Sequence, residues 1–206
     1  MISTAASSDT VVVVNTPPTA PLIAMAPESP TTEDDLMCEL TTPSFDADLD
    51  TVSYRYSWRL NGKAQPTPST DPQRIPAGAT LRGQSWECQV TPSDGESQGA
   101  AGSVKVVIRN SPPVAPRVRV TPERPAPGQP LSCEIVEPAR DPDRDAVSYR
   151  YAWLRDGVVQ PFAPVSTSVP GRLVKARDMW QCQVTPSDKE QAGEAATSPD
   201  VVVAKP

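Results

Sequence analysis

Two short loops of alternating aspartates are the clearest candidates for chemistry in this sequence. Asp46, Asp48 and Asp50 occupy every second position, and the same spacing returns later as Asp141, Asp143 and Asp145. Carboxylates spaced in this way can converge on one hard cation, which takes about six to eight oxygen ligands in proteins. The pattern makes calcium the one candidate cofactor, in a structural role without catalysis. In the competing interpretation, the aspartates accept backbone N–H groups and cap turns.

Four cysteines form the second set of reactive residues: Cys38, Cys88, Cys133 and Cys182. Four cysteines allow three pairings. The sequence contains two copies of a repeat, described below, and each copy contains two of the cysteines. The simplest pairing is therefore Cys38 with Cys88 and Cys133 with Cys182. A zinc site would need closely spaced cysteines, and the sequence has none. Disulfides predict an oxidising location, so we expect the chain to be secreted or at the cell surface.

The composition excludes several classes of protein. The chain has 206 residues and no histidine, which removes histidine bases, triads and metal ligands, and we expect no catalytic residue and no enzyme. With a net charge of −6 and no basic cluster, it is unsuited to binding nucleic acid. The longest apolar runs are far shorter than the roughly 18 residues of a membrane helix, so no membrane insertion is expected. The first residues also lack the basic and apolar regions of a signal peptide.

The chain repeats itself. Segment 52–58 (VSYRYSW) recurs as 147–153 (VSYRYAW), and 86–94 (WECQVTPSD) recurs as 180–188 (WQCQVTPSD). These matches predict an N-terminal segment over 1–15, a first module over 16–110 and a second module over 111–206. The proline-rich connector between them favours extended, semi-rigid chain.

Each module shows the pattern of a β-sandwich. Apolar residues alternate with polar ones, as in Leu36, Cys38 and Leu40, which is typical of half-buried strands. The Asn61–Gly62 and Asp156–Gly157 pairs follow the tryptophan strands and favour tight hairpins with positive φ. The tryptophans fall on inward faces, where we expect them to pack in the core. Asp94 and Asp188 are interpreted as turn residues, with a part in a calcium site as the alternative.

A strand cysteine, a tryptophan and a second cysteine followed by a closing valine strand resemble the immunoglobulin-like fold. More narrowly, the chain resembles the tandem immunoglobulin-like repeats of bacterial and archaeal cell-surface proteins. The resemblance rests on the proline-rich linker, the aspartate loop, the Tyr-x-Trp strand and the Cys-x-Val-x-Pro-x-Asp segment of each module. It implies an all-β chain of two tandem Ig-like β-sandwich domains, each with one inter-sheet disulfide.

An isolated strand pattern precedes the first module. Its residues match the closing strands of both modules, although no module comes before them: Val11, Val12, Val13 and Val14. The pattern fits a chain cut from a longer array. It also fits a strand donated to the open sheet edge of another subunit.

These features predict an extracellular structural or spacer module of a cell-surface or fibre-forming protein. Its expected partners are other copies of itself or neighbouring Ig-like repeats. Two alternatives stay open. The first is adhesion, in which the aspartate loops with segments 65–74 and 160–168 bind a surface glycan or protein. The second is a filament subunit that polymerises by donating the strand 11–14.

Overall fold

The alternating patterns of the first module form antiparallel strands in this computed structural model, which describes residues 13–205. A three-stranded sheet has the order β1-β2-β5, and a four-stranded sheet has the order β4-β3-β6-β7. The strands are β1 (Leu22–Ala26), β2 (Leu36–Thr42), β3 (Ser53–Leu60), β4 (Lys63–Gln65), β5 (Arg74–Ile75), β6 (Ser85–Ser93) and β7 (Gly102–Val107). A 3-10 turn, Ala77–Ala79, precedes β6.

The core of the first module lies between these two sheets. Its buried side chains come from the inward positions of the strands, because successive residues of a strand face opposite sides. They include Met25, Leu36, Cys38, Tyr56, Trp58, Ile75, Trp86, Cys88, Val90, Val106 and Ile108.

The second module repeats this arrangement. One sheet has the order β12-β9-β8, and the other has the order β11-β10-β13-β14, with β15 also paired to β13. The strands are β8 (Arg117–Thr121), β9 (Leu131–Glu137), β10 (Ser148–Arg155), β11 (Val158–Val159), β12 (Ser168–Val169), β13 (Met179–Ser187), β14 (Ala196–Thr197) and β15 (Val201–Val202). A 3-10 turn, Gly171–Leu173, precedes β13.

The closing strand is continuous in the first module and interrupted in the second. Pro199 stands between β14 and β15, and proline has no N–H to donate to a sheet ladder. The Ser198 side chain compensates for the interruption, since its Oγ accepts the Cys182 N–H at 3.0 Å. The Ser198 N–H in turn donates to the Cys182 carbonyl at 2.8 Å.

The two predicted hairpin turns are confirmed. Leu60 pairs with Lys63 across the first turn and Arg155 with Val158 across the second, so each loop has two residues. Asn61 has φ 50° and Gly62 has φ 79°, and the second pair, Asp156 and Gly157, has φ 52° and 77°. Positive φ at both central residues is the geometry that asparagine or aspartate followed by glycine favours.

The prediction of an all-β chain of Ig-like β-sandwiches with one inter-sheet disulfide each is confirmed. By its internal contacts the chain divides into two units, for which the names first and second module are kept. Of the described residues, 13–30, 34–80 and 84–108 belong to the first unit, and 31–33, 81–83 and 109–205 belong to the second. Among residues 13–205, no helix is long and apolar enough to cross a membrane.

The N-terminal strand predicted over 11–14 stays a prediction, because only two of its four residues are described. Val11 and Val12 lie outside the described residues. Val13 and Val14 belong to none of the strands and are 85% and 75% exposed. A strand needs a neighbouring strand to pair with, and no described strand pairs with these two valines.

Candidate functional site: the aspartate loops and the leading segments

The first aspartate loop is organised around the buried carboxylate of Asp46. Its Oδ1 accepts the backbone N–H of Asp48 at 2.9 Å and of Asp50 at 3.3 Å. The Leu49 N–H donates to the Asp46 carbonyl at 3.3 Å, and Leu49 has φ 65°. Asp46 therefore caps a tight turn, as the turn interpretation of the sequence predicted.

The loop brings its three carboxylates together. One oxygen each from Asp46, Asp48 and Asp50 lies within 4.8 Å of the others. Asp46 is only 5% exposed, whereas Asp48 and Asp50 are exposed. At the base of the loop, the Ser44 N–H donates to the Tyr54 hydroxyl at 2.8 Å, which ties the loop to β3.

The proline-rich residues before β1, 15–21, are bound to their own module, and we call them the first leading segment. The Thr16 N–H donates to Asp48 Oδ2 at 2.7 Å. Thr19 exchanges two hydrogen bonds with Phe45: its N–H donates to the Phe45 carbonyl at 2.9 Å, and its Oγ1 accepts the Phe45 N–H at 2.8 Å. This segment is thus anchored to the aspartate loop along its length.

Asp94 anchors the start of the same segment. Its Oδ2 accepts the Asn15 amide at 2.9 Å, while its Oδ1 accepts the N–H groups of Glu96 at 2.8 Å and Ser97 at 2.7 Å. The hydrogen bond from Asn15, followed by the one from the Ser97 N–H, lowers the pKa of Asp94 well below its usual range, against a smaller opposing effect of burial. The prediction that Asp94 is a turn residue is confirmed, and its carboxylate has the further role of holding Asn15.

The second module repeats the anchor. The Asp141 Oδ1 accepts the N–H of Asp143 at 2.8 Å and of Asp145 at 3.1 Å. The Ser111 N–H donates to Asp143 Oδ2 at 2.8 Å, as Thr16 does to Asp48. The second leading segment, residues 110–116, is therefore held by the same kind of loop.

The buried pair of Asn110 and Asp188 completes this second anchor. The Asn110 amide donates to Asp188 Oδ2 at 2.8 Å, and Oδ1 accepts the N–H groups of Glu190 and Gln191, both at 2.6 Å. Burial alone would raise the pKa of Asp188, but the hydrogen bonds from Asn110, Gln191 and Glu190 outweigh it and lower that pKa. Asp188 is a turn residue, as predicted, and it also fixes the chain that enters the module.

Gly99 in the first module and the equivalent Gly193 in the second let the leading segment approach closely. A Cβ on Gly99 would lie 2.0 Å from the Pro18 carbonyl oxygen, and one on Gly193 would lie 1.9 Å from that of Pro113. No side chain fits at such distances, so both positions require glycine.

The cysteines pair as predicted within each module. Cys38 of β2 is bonded to Cys88 of β6, and Cys133 of β9 to Cys182 of β13, so both bonds join the two sheets of a sandwich. Within each core, two tryptophans meet edge to face with ring centroids 6.3 Å apart: Trp58 with Trp86, and Trp153 with Trp180. This geometry is favourable for aromatic pairs.

Trp58 and Trp153 also bind the two loop segments that the adhesion hypothesis proposed as ligand-binding. The Trp58 indole N–H donates to the Pro72 carbonyl at 3.0 Å, and that of Trp153 donates to the Ser166 carbonyl at 2.9 Å. Segments 65–74 and 160–168 are therefore attached to the cores. A ligand for these loops stays a prediction.

Sequence reasoning missed Asn15 and Asn110, and it missed Gly99 and Gly193. A signal was present: both asparagines precede a Thr/Ser-Pro-Pro run at equivalent places of the repeat. A polar residue that recurs in a proline-rich segment indicates a fixed contact rather than a free linker.

Comparison with known proteins adds little to this description. No protein family model matches the chain, and no curated protein matches it. Among solved structures, it is similar to the crystal structure of the FN1–FN3 domains of chicken CNTN1, with 12% sequence identity and a TM-score of 0.38. The match covers 93% of this chain and 69% of that one. At this TM-score the likeness adds nothing to what the strand order already shows.

Proposed function

We propose that this chain is an extracellular, non-catalytic structural module that spaces other parts of a cell-surface or fibre-forming protein. This function is the one we expect of tandem immunoglobulin-like repeats of bacterial and archaeal surface proteins, which the sequence resembles. The observation that carries the proposal is the shortness of the chain between the last contact of the first module and the first contact of the second.

The first module holds the chain up to Ile108. The Ile108 side chain is 1% exposed in the core, and its N–H donates to the Gln84 carbonyl at 2.9 Å. The second module holds the chain from Asn110, which is bonded to the buried Asp188. A single residue, Arg109, separates these two attachments. A connection this short, followed by Pro112 and Pro113, limits how far the modules bend against each other.

The disulfides support an extracellular location and resistance to unfolding. Bonds of this kind persist in oxidising compartments. Each one encloses about half of its module, and closing such a loop restricts the unfolded chain. A spacer that bears load outside the cell benefits from both properties.

The test is to lengthen the connection. Insertion of Gly-Ser-Gly-Ser between Arg109 and Asn110 should let the modules tumble independently. We expect 15N relaxation to give one shared rotational correlation time for the natural chain and clearly shorter times for the insertion variant. The matched control adds the same four residues after Lys205. Equal correlation times in the natural chain and the insertion variant would contradict the spacer proposal.

A filament subunit is the second candidate, because Val13 and Val14 are exposed apolar residues with a strand-like sequence. Strand donation predicts fibres in electron micrographs of the natural chain. Deletion of residues 1–14, which keeps Asn15 and its anchor, should abolish them. A monomeric natural chain at high concentration would leave the spacer as the better proposal.

A further inference from the structure

We propose that the first aspartate loop binds one calcium ion, through carboxylate oxygens of Asp46, Asp48 and Asp50. These three oxygens already lie within 4.8 Å of one another. Among residues 13–205, no other group of three acidic or cysteine side chains is arranged in this way. A hard divalent cation is the ligand that such a set of oxygens suits, with backbone carbonyls and water completing the shell.

An unpartnered buried oxygen points to a missing ligand. Asp46 Oδ1 is used by the two backbone N–H groups of the turn, but Asp46 Oδ2 is buried and has no hydrogen-bond partner. Asp46 as a whole is 95% buried. A buried carboxylate oxygen without a partner is costly, and a bound cation would satisfy it. Asp141 Oδ2 of the second loop is buried and unpartnered in the same way, so this oxygen alone does not distinguish the two loops.

A second unpartnered oxygen lies beside the same loop. Ser44 Oγ is buried and also lacks a hydrogen-bond partner. Pro43, Ser44, Asp46 and Asp50 line one open hollow of about 430 Å³, together with Tyr54. The remaining lining residues of this hollow are Phe45, Leu49 and Val52, so two of the three proposed carboxylate ligands, Asp46 and Asp50, border it.

The charge of the first loop also favours a cation, and the second loop provides a natural comparison. Residues 44–50 (SFDADLD) carry three negative charges and no positive one. The equivalent residues 139–145 (ARDPDRD) carry the same three aspartates with Arg140 and Arg144 added, and Ala139 replaces the serine. The second loop therefore has a net charge of only −1, and we confine the proposal to the first loop.

The decisive measurement is calorimetric titration of calcium into the chelator-treated 206-residue chain. Extracellular calcium modules bind with dissociation constants on the order of 0.1–1 mM, and we expect one site in that range. Asp50→Asn should weaken binding at least tenfold, since it removes an exposed ligand without touching the hydrogen bonds that Asp46 accepts. The matched change in the other loop, Asp145→Asn, should leave the affinity unchanged.

A second variant leaves every carboxylate in place. Phe45→Arg combined with Leu49→Arg gives the first loop the charge of the second, and it should also abolish binding. Terbium provides an independent signal, because Tyr54 lines the hollow and should sensitise its luminescence, and calcium should displace it.

Three outcomes would overturn the proposal. The first is no calcium binding up to about 10 mM, which is about ten times the upper end of the extracellular range. The second is binding that Asp50→Asn does not weaken. The third is terbium luminescence that calcium does not displace. None of these outcomes bears on the spacer proposal, which is tested by the connector insertion.

Discussion

The disulfide pairing makes a quantitative prediction for the chain under force. Each bond withholds an enclosed loop from extension when its module unfolds, and reduction should release that loop. The loop spans 50 residues in the first module and 49 in the second. A fully extended chain gains about 3.5 Å per residue, and each bond already spans a Cα–Cα distance of 6.3 Å or 6.0 Å. Reduction should therefore lengthen the two unfolding steps by about 169 Å and about 166 Å. The folded end-to-end distance cancels in this difference.

Single-molecule force spectroscopy measures these steps directly. We expect two short steps per chain without reductant and two long steps with it. In the double variant Cys38→Ser with Cys88→Ser, one long and one short step should occur in the same oxidised molecule. Cys133→Ser with Cys182→Ser is the matched control and should give the same pattern from the other module.

The same double variants should also lower stability. In the chain-entropy model, opening a loop of this size costs about 4 kcal/mol. Unfolding steps whose length does not respond to reductant would refute the assigned pairing. So would a single merged step, which a bond between the modules would produce.

Three further predictions concern the anchored leading segments and the turns. Gly99→Ala should destabilise the first module by about 1–3 kcal/mol, because the added Cβ would meet the Pro18 carbonyl. Gly78→Ala is the control, since Gly78 has open space around it. Equal urea midpoints for the two variants would contradict the close approach. Gly62→Ala should cost about 1 kcal/mol in the same assay, since this position has φ 79°, and an unchanged midpoint would argue against the turn geometry. The lowered pKa of Asp94 means that its carboxylate stabilises the fold above the unfolded pKa of about 3.9 and loses this effect as the pH falls. The Asp94→Asn variant should therefore have a lower free energy of unfolding than the natural chain at pH 7, and this difference in stability should narrow below about pH 4. Urea midpoints that differ by the same amount at every pH would contradict this prediction.

Much of the fold follows from local patterns that a sequence displays. The period-two alternation around Cys38 and Trp58 predicts inward-facing strands, and the residue pairs beginning at Asn61 and Asp156 predict hairpins. The duplication then makes the disulfide pairing within each copy the simplest one. These features depend on neighbours in the chain or on the repeat itself, so they can be inferred without coordinates.

The anchoring of the leading segments was decided only by tertiary structure. Asn15 and Asp94 are 79 positions apart. The recurrence of the asparagine signals a fixed contact, but nothing in the sequence identifies a carboxylate in a distant turn as its partner. The same holds for Gly99, whose close approach to Pro18 is a property of two packed segments. Likewise, the aspartate pattern is the same in both loops, but the unpartnered oxygens of Asp46, Asp141 and Ser44 became visible only with the fold. Sequence patterns specify which face of a strand is buried, whereas complementarity between distant segments exists only once the sheets have brought those segments together.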